Sequence, residues 1–398
     1  MLFQDAQRIL QQILAPTPLE TFLDDTLGRR FVKIAGDRQS YRSTLLGEDA
    51  EGLILNAFHD LAPNIGCHAA EPKGPYPTIE PVADAEAFKA KIEAFHALGY
   101  TVRLRLPSRF APKLDEFLRS LEFFFHQPAT AEAFWSRGDA KAPPHYDDYD
   151  LIAIQLMGHK RWYVSTDPAS LPNPWKSGPV SPPTLAHHQV VDVSPGDLLY
   201  LPRGTDHRVD ALNEPSLHLS IGFLPLTLRE AIIAAVDHLS DLDRTFRETV
   251  GSRLAFSVRS NDFKALAPQL RDGLARLMQA CASDDFIAQA MQRRSSRAIG
   301  DLKAEKKTGP HPKISTATLV RHDPLTISSL TAARGQIDFS HPGGHIYIHR
   351  GVEPSIVFIA KTPQFRVREI PPQTIGDDIR IALVERFVSS GFLEVVGE

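Results

Sequence analysis

Within the stretch PPHYDDYDLIAIQLMGHKRWYV, Pro143 to Val164, a histidine, a carboxylate and a lysine stand among residues suited to a core strand. His145, Asp147 and Lys160 share it with Ile152, Ile154, Leu156 and Trp162. Burying charged groups is costly unless something compensates them. On an extended chain residues i and i+2 point to one face, so His145 and Asp147 would aim an imidazole and a carboxylate at a common point. A third ligand is available in PGDLLYLPRGTDHRVD, where His207 follows a strand-like run ending at Pro202. Two histidines and one carboxylate form the set that holds Fe(II) in non-haem oxygenases, covering one face of the ion and leaving the other open. A structural zinc site would close four positions, usually with cysteine. The two cysteines, Cys67 and Cys281, stand in no CxxC pattern. His-x-Asp alone is weak, since about one copy arises by chance at this composition. The apolar strand after it, the turn at Gly158 and the distal histidine after a PGD turn give it weight. Lys160, heading the returning strand, either reaches solvent along its apolar stem or stays buried against an anion. Arg161 would face the opposite side, as the alternative anchor, and Asp148 would point away from the metal.

These residues need a sheet to hold them. From about residue 101 to 224 short runs such as TVRLRL, EAFWS, DLIAIQL, KRWYVS, QVVDV, LLYLP and SLHLSIGF follow one another. Closely spaced runs of this kind, separated by turns such as SPGD, predict an antiparallel sandwich or barrel. One helix, APKLDEFLRSLEFFF, interrupts them. Residues 1–100 mix helical segments, beginning with the amphipathic MLFQDAQRILQQILAP, with a Pro/Gly-rich loop. After Thr227 the texture becomes helical to about Arg297, opening with a capping box of Thr227 and Glu230. DLKAEKKTGPHPK reads as a linker. Beyond it IVFIA and FRVREI read as strands, and GDDIRIALVERFVSSG as a helix ended by Gly391. That helix with FLEVV after it predicts a small winged-helix module.

Composition bounds the alternatives. A chain of 398 residues, 42% hydrophobic and 23% charged, is globular and long enough for two or three domains. The cysteine usage points to a reducing, cytoplasmic setting. The amino-terminal segment lacks the features of a signal peptide, and no apolar run approaches the ~20 residues of a membrane span. A net charge of −4 gives nucleic acid no electrostatic footing. Residues 301–398 hold twelve Lys and Arg against eleven Asp and Glu, so the winged-helix module lacks a basic footprint as well.

The segments PPHYDDYDLIAIQLMGHKRWYV and SPGDLLYLPRGTDHRVDALNEPSLHLSIGF resemble the JmjC-type cupins of the ribosomal oxygenase group, the cupin-4 family. YPTIEPVADAEAFKAKIEAFHALGYTVRL is similar to that family's lead-in. The resemblance implies an α+β chain: a double-stranded β-helix (jelly-roll) catalytic domain at 1–226, a helical dimerisation domain at 227–300 and a winged-helix domain at 301–398. It implies Fe(II)- and 2-oxoglutarate-dependent protein hydroxylation, with His145, Asp147 and His207 as iron ligands and Lys160 gripping 2-oxoglutarate. Fe(II), Asp147 and Lys160 sum to +2, which the dianion neutralises. The implied substrate is an Arg or His side chain of a ribosomal protein, and the implied assembly a homodimer. Two other readings stay open: the same chemistry on a peptide or small molecule, and a non-enzymatic metal-binding interaction module.

Two positions depart from the family pattern. Where its members often carry Asn-x-Tyr, this chain has Glu132-Ala133-Phe134. Phe134 cannot donate a hydrogen bond, and Glu132 would repel a carboxylate. Ser216, His218, Ser220 and Gly222 share one strand face, which makes Ser220 the nearest match to the family's late hydroxyl. His218 is either a second cosubstrate contact or a core residue. The Pro-rich segment from Ser165 to His188, with Trp175, reads as a lid or a rigid excursion. His341, His345 and His349 recur every four residues, but Pro342, Gly343 and Gly344 argue against a helix that would make them one metal face.

Overall fold

The computed structural model describes residues 1–75, 81–172, 182–250, 266–304, 313–333, 335–373 and 375–397. The chain forms two compact units, Met1–Pro225 and Leu226–Glu398. Tyr76–Glu80 of the lead-in, Trp175 and most of the 301–313 linker lie outside the described residues.

The first unit is built on two antiparallel sheets. Its strands are β1 (Val32–Ile34), β2 (Ile65–His68), β3 (Thr101–Arg105), β4 (Thr130–Ser136), β5 (Asp150–Met157), β6 (Lys160–Ser165), β7 (His188–Val193), β8 (Leu198–Leu201), β9 (His207–Ala211) and β10 (Ser216–Phe223). The larger sheet runs β1-β8-β5-β10-β4-β3-β2, and the smaller β7-β6-β9. Register sorts the side chains of the larger sheet. Val102, Trp135 and Leu217 lie in one row and Leu104, Ala133 and Leu219 in the next. These join the main core with Ile9, Ile13, Phe88, Phe95 and Phe117, contributed by helices Phe3–Leu14, Ala85–Ala97 and Pro112–Phe125. The opposite face holds Leu151, Ala153, Leu199 and Leu201, which pack on Trp162, Val164, Val191 and Val193 of the smaller sheet. Further along this same face the residues become mostly polar: Thr101, Glu132, Ser136, His218 and Ser220, with Phe134 among them. The jelly-roll interior therefore has a dry end and a polar end.

In the second unit helices Leu228–Leu242, Ala267–Ala280 and Asp284–Asp301 meet around Leu239, Leu277 and Phe286. The capping box forms: Thr227 Oγ1 accepts from Glu230 N at 3.3 Å, and the Glu230 carboxylate accepts from Thr227 N at 3.0 Å. Strands β11 (Leu319–His322), β12 (Ser329–Ala333), β13 (Gln336–His341), β14 (Gly344–His349), β15 (Gln364–Arg366) and β16 (Leu393–Gly397) make two three-stranded sheets, β12-β13-β14 and β15-β11-β16. The helix expected near the carboxyl terminus spans Asp377–Ser389, with Gly391 at φ +83° beyond it. IVFIA, expected as a strand, belongs to helix Glu353–Lys361. A short apolar run has no period to separate the two forms, and Pro354 in the first turn favours the helix. Of FRVREI only the first residues are extended, and Val367–Glu369 turn as a 3-10 helix. His341 and His345 stand on the β13–β14 hairpin, and His345 Nδ1 meets the Asp338 carboxylate at 2.9 Å.

Candidate metal centre

The segment before β5 is extended but irregular. It runs antiparallel to β9, with Ala142 N bonded to Val209 O at 2.8 Å and Ala211 N to Ala140 O at 2.9 Å. His145 and His207 face each other across this ribbon, and Gly204 N donates to Asp147 O at 2.8 Å. Asp147 thus leaves the ribbon against the turn that delivers His207. The base of that turn is fixed by Asp150, a fully buried carboxylate. Asp150 accepts from the Tyr200 hydroxyl and from Arg203 N at 3.3 Å, and the Arg203 guanidinium lies 3.6 Å away.

The three side chains predicted as ligands converge: one donor atom from each of His145, Asp147 and His207 lies within 4.8 Å of the others. His145 Nδ1 is 2.9 Å from Pro143 O, and His207 Nδ1 is 3.0 Å from Thr205 O. A carbonyl can only accept, so both Nδ1 atoms carry the proton and both Nε2 lone pairs are free to bind metal. His207 Nε2 stands 3.8 Å from an Asp147 carboxylate oxygen. Burial pushes the His207 imidazole down to about 3. Burial also pushes the Asp147 carboxyl up, with Glu132 and Asp148 adding to it and His145 opposing. A divalent cation would reverse the upward shift by its own charge. Two neutral imidazoles and one carboxylate, with fixed tautomers and an open side at half-buried Asp147, fit an ion that keeps positions for exogenous ligands.

Lys160 projects from β6 on the same face as His207, and it is 1% exposed. It does not reach solvent. Its ammonium lies 2.8 Å from His218 Nδ1 and 3.2 Å from Phe134 O. Desolvation alone pulls Lys160 down to about 7. His218 is held well below the usual histidine range by burial and then by Lys160. With Lys160 donating to Nδ1, neutral His218 carries its own proton on Nε2. Arg161 points outward, paired through both guanidinium nitrogens with Asp192 at 2.7 and 2.8 Å.

A cavity of about 50 Å³ joins these groups, lined by His145, Asp147 and His207 at one part and by Lys160, His218 and Ser220 at another. Several lining residues were not singled out from sequence. Tyr149 lies beside the Asp147 carboxylate and lowers it. His68 comes from β2, and Thr101 and Ser136 join through their hydroxyls at 2.9 Å. Phe134 stacks on His218 with ring centres 5.0 Å apart, and Trp162 lies against His207 at 5.5 Å. Alternation could have flagged Ser136, two residues beyond Phe134; no local pattern marks His68.

Residues 103–231 match the JmjC domain. Over 274 residues the chain is 28% identical to ribosomal oxygenase 1 of Rattus norvegicus, covering 62% of this chain and 44% of that protein. Over 224 residues it is 26% identical to the bifunctional lysine-specific demethylase and histidyl-hydroxylase NO66 of Drosophila willistoni, covering 55% of this chain and 29% of that one. The chain thus spans less than half the length of these curated relatives. Among solved structures it is similar to the Escherichia coli ribosomal oxygenase YcfD in complex with cobalt and 2-oxoglutarate. That match has a TM-score of 0.52 and 15% identity, and it covers 96% of this chain and 99% of that one. The chain thus carries a JmjC domain at residues 103–231.

Proposed function

We propose that the chain is an Fe(II)- and 2-oxoglutarate-dependent oxygenase that hydroxylates an Arg or His side chain of a ribosomal protein. The observation that carries this reading is the placement of His145, Asp147 and His207 on the same cavity as the buried Lys160. When bound, the iron and cosubstrate supply the activation of dioxygen, with succinate and carbon dioxide as coproducts. The protein's part is geometry, charge and dryness. His145 and His207 present unprotonated Nε2 atoms, and Tyr149 orients the third ligand. Lys160 pairs with the far carboxylate of the cosubstrate. His218 Nε2–H and the Ser220 hydroxyl are further donors to that anion. Trp162 and Phe134 exclude water beside them.

Two further carboxylates act on the metal end of the cavity. Glu132 and Asp148 both raise the Asp147 carboxyl, with His145 opposing them. Glu132 registers opposite Ser220 on β10 and Arg105 on β3, on the face turned to the interior. Carboxylates near the metal end favour a basic side chain as substrate. By the same resemblance to ribosomal oxygenases, 227–300 serves as the dimerisation element and 301–398 as a winged-helix domain. The exposed Leu270, Leu274 and Met278 of helix Ala267–Ala280 recur every four residues and favour a second copy as their cover.

Purified protein supplied with Fe(II), 2-oxoglutarate and air is expected to form succinate slowly without substrate, and His145→Ala to abolish it. Absence of turnover in the wild-type protein sinks the oxygenase reading. Ribosomal protein masses from a wild-type and a deletion strain identify the substrate. One protein lighter by a single oxygen in the deletion strain is expected, and unchanged masses throughout overturn the ribosomal assignment.

A further inference from the structure

We propose that His68 is a cosubstrate-contacting residue, its imidazole donating a hydrogen bond to the carboxylate that Lys160 binds. The inference rests on the oxygenase reading above and extends it to a residue seventy-seven positions ahead of the first metal ligand.

The placement follows from strand order. β2 is the last strand of the larger sheet, and His68 registers opposite Thr101 on β3. Thr101 Oγ1 in turn lies 2.9 Å from Ser136 Oγ on β4. Directly opposed residues share a face, so His68, Thr101 and Ser136 form one polar row across three strands. All three line the cavity that holds Lys160. Lys160 reaches the backbone of the same β4 strand at Phe134 O, 3.2 Å from its ammonium. A carboxylate seated on Lys160 therefore lies alongside that row.

The chemistry at His68 agrees. Among the described residues its ring packs against Phe134, with centres 5.6 Å apart, and takes part in no hydrogen bond. Thr101 and Ser136 share one hydrogen bond, which leaves one of the two hydroxyl donors free, and His68 retains an unused donor facing the cavity. Burial, then Lys160, His145 and Arg103, hold the imidazole down to about 4. It is neutral near pH 7 and has one N–H to give. Its charged neighbours Lys160 and Arg103 are both cationic, so the potential there favours an anion. His68 thus lies at the cationic, Lys160 end of the cavity.

The test uses the full chain loaded with Zn(II), which cannot turn over, and calorimetric titration with two probes. One is 2-oxoglutarate. The other is 2-oxobutanoate, which keeps the chelating oxo-acid and lacks the far carboxylate. His68→Leu removes the donor at similar volume, and His68→Gln keeps a donor. Hydrogen bonds to charged groups predict about 10- to 100-fold weaker 2-oxoglutarate binding in His68→Leu. His68→Gln is expected to recover most of that loss, and 2-oxobutanoate binding to stay within about twofold in both variants. Equal binding of 2-oxoglutarate by wild type and His68→Leu overturns the assignment. So does equal weakening of both probes, which would place His68 at the metal end. Failure of the wild-type protein to bind 2-oxoglutarate at all overturns the oxygenase reading itself, a result distinct from either.

Discussion

His145 and His207 are paired through their backbones as well as their side chains. His145 N donates to His207 O at 2.9 Å, and His207 N to His145 O at 2.8 Å. The two imidazole centres stand 4.3 Å apart as a consequence. The metal-binding geometry is therefore set by a β-bridge between the two ligands. Replacing either imidazole leaves the bridge intact. His145→Ala and His207→Ala are expected to lose metal affinity by at least the ~100-fold that the loss of a supporting partner can cost. Their metal-free melting temperatures should stay near wild type for half-exposed His145 and fall modestly for buried His207. Metal content by mass spectrometry and melting curves check both, and a variant that unfolds on losing the imidazole contradicts the bridge as the organising element.

Tyr149 is the support for Asp147, and Gly222 is the support for Tyr149. A Cβ on Gly222 would stand 2.7 Å from the Tyr149 ring. Tyr149→Phe should weaken divalent metal binding by about 10- to 100-fold through loss of the hydroxyl that acts on Asp147. Gly222→Ala should weaken it too, by displacing the ring. The double variant is expected to be little worse than the worse single one, because both act on one contact. Metal titrations of the three proteins decide this, and additive losses refute the shared route.

Lys160 is a charge that the fold tolerates for function. Its ammonium falls from an ordinary 10.5 to about 7 on burial. Between those values the unfolded chain binds the proton and the folded chain does not, so stability rises with pH from about 7 to about 10.5. Below pH 7 the full cost is present, on the order of a few kcal/mol. Lys160→Met should remove that cost and raise the melting temperature of the metal-free protein near pH 7. His218 Nδ1 loses its donor in the variant, which offsets part of the gain. Cosubstrate binding should be abolished. A Lys160→Met protein less stable than wild type at pH 7 argues against a net cost of the buried amine.

The same residue predicts the pH dependence of binding. A dicarboxylate paired with Lys160 stabilises its protonated form, so binding above pH 7 must take up a proton. Affinity of the Zn(II)-loaded protein for 2-oxoglutarate should be steady below pH 7 and fall up to tenfold per unit above it. Lys160→Arg, charged throughout this range, should flatten the profile. Calorimetry in buffers of different ionisation enthalpy counts the proton directly, and zero uptake at pH 8.5 contradicts the pairing.

How much of this was legible in the sequence depends on whether the signal is local. His145, Asp147 and His207 could be read because strand alternation and a distal histidine after a turn are local patterns, and the fold joins them by one bridge. Lys160 was legible as a polar residue in an apolar strand. Glu353–Lys361 was misread because five apolar residues carry no period, and helix formation was decided by Pro354 and by packing in the carboxyl-terminal core. His68 was invisible for another reason. β2 has four residues and no alternation of its own, and only the order β4-β3-β2, fixed by long-range pairing, brings it to the cavity. Glu132 and Phe134 were legible as departures, and the row His68-Thr101-Ser136 supplies donors where Phe134 has none.

The helical surface gives the last prediction. Leu270, Leu274 and Met278 are 55%, 60% and 75% exposed and lie along one stripe of helix Ala267–Ala280. On helix Leu228–Leu242, Leu228 and Ile232 are 77% and 48% exposed at the same four-residue spacing. Apolar stripes of this kind are expected to be covered by another surface, and closed two-fold pairing is the commonest assembly. Light scattering should return twice the 44.1 kDa chain mass. Leu274→Glu sets a charge in the stripe without touching the Leu277 side that faces the helical core, so the fold should persist while the dimer dissociates. A wild-type protein that stays monomeric across a hundredfold concentration range rules the pairing out.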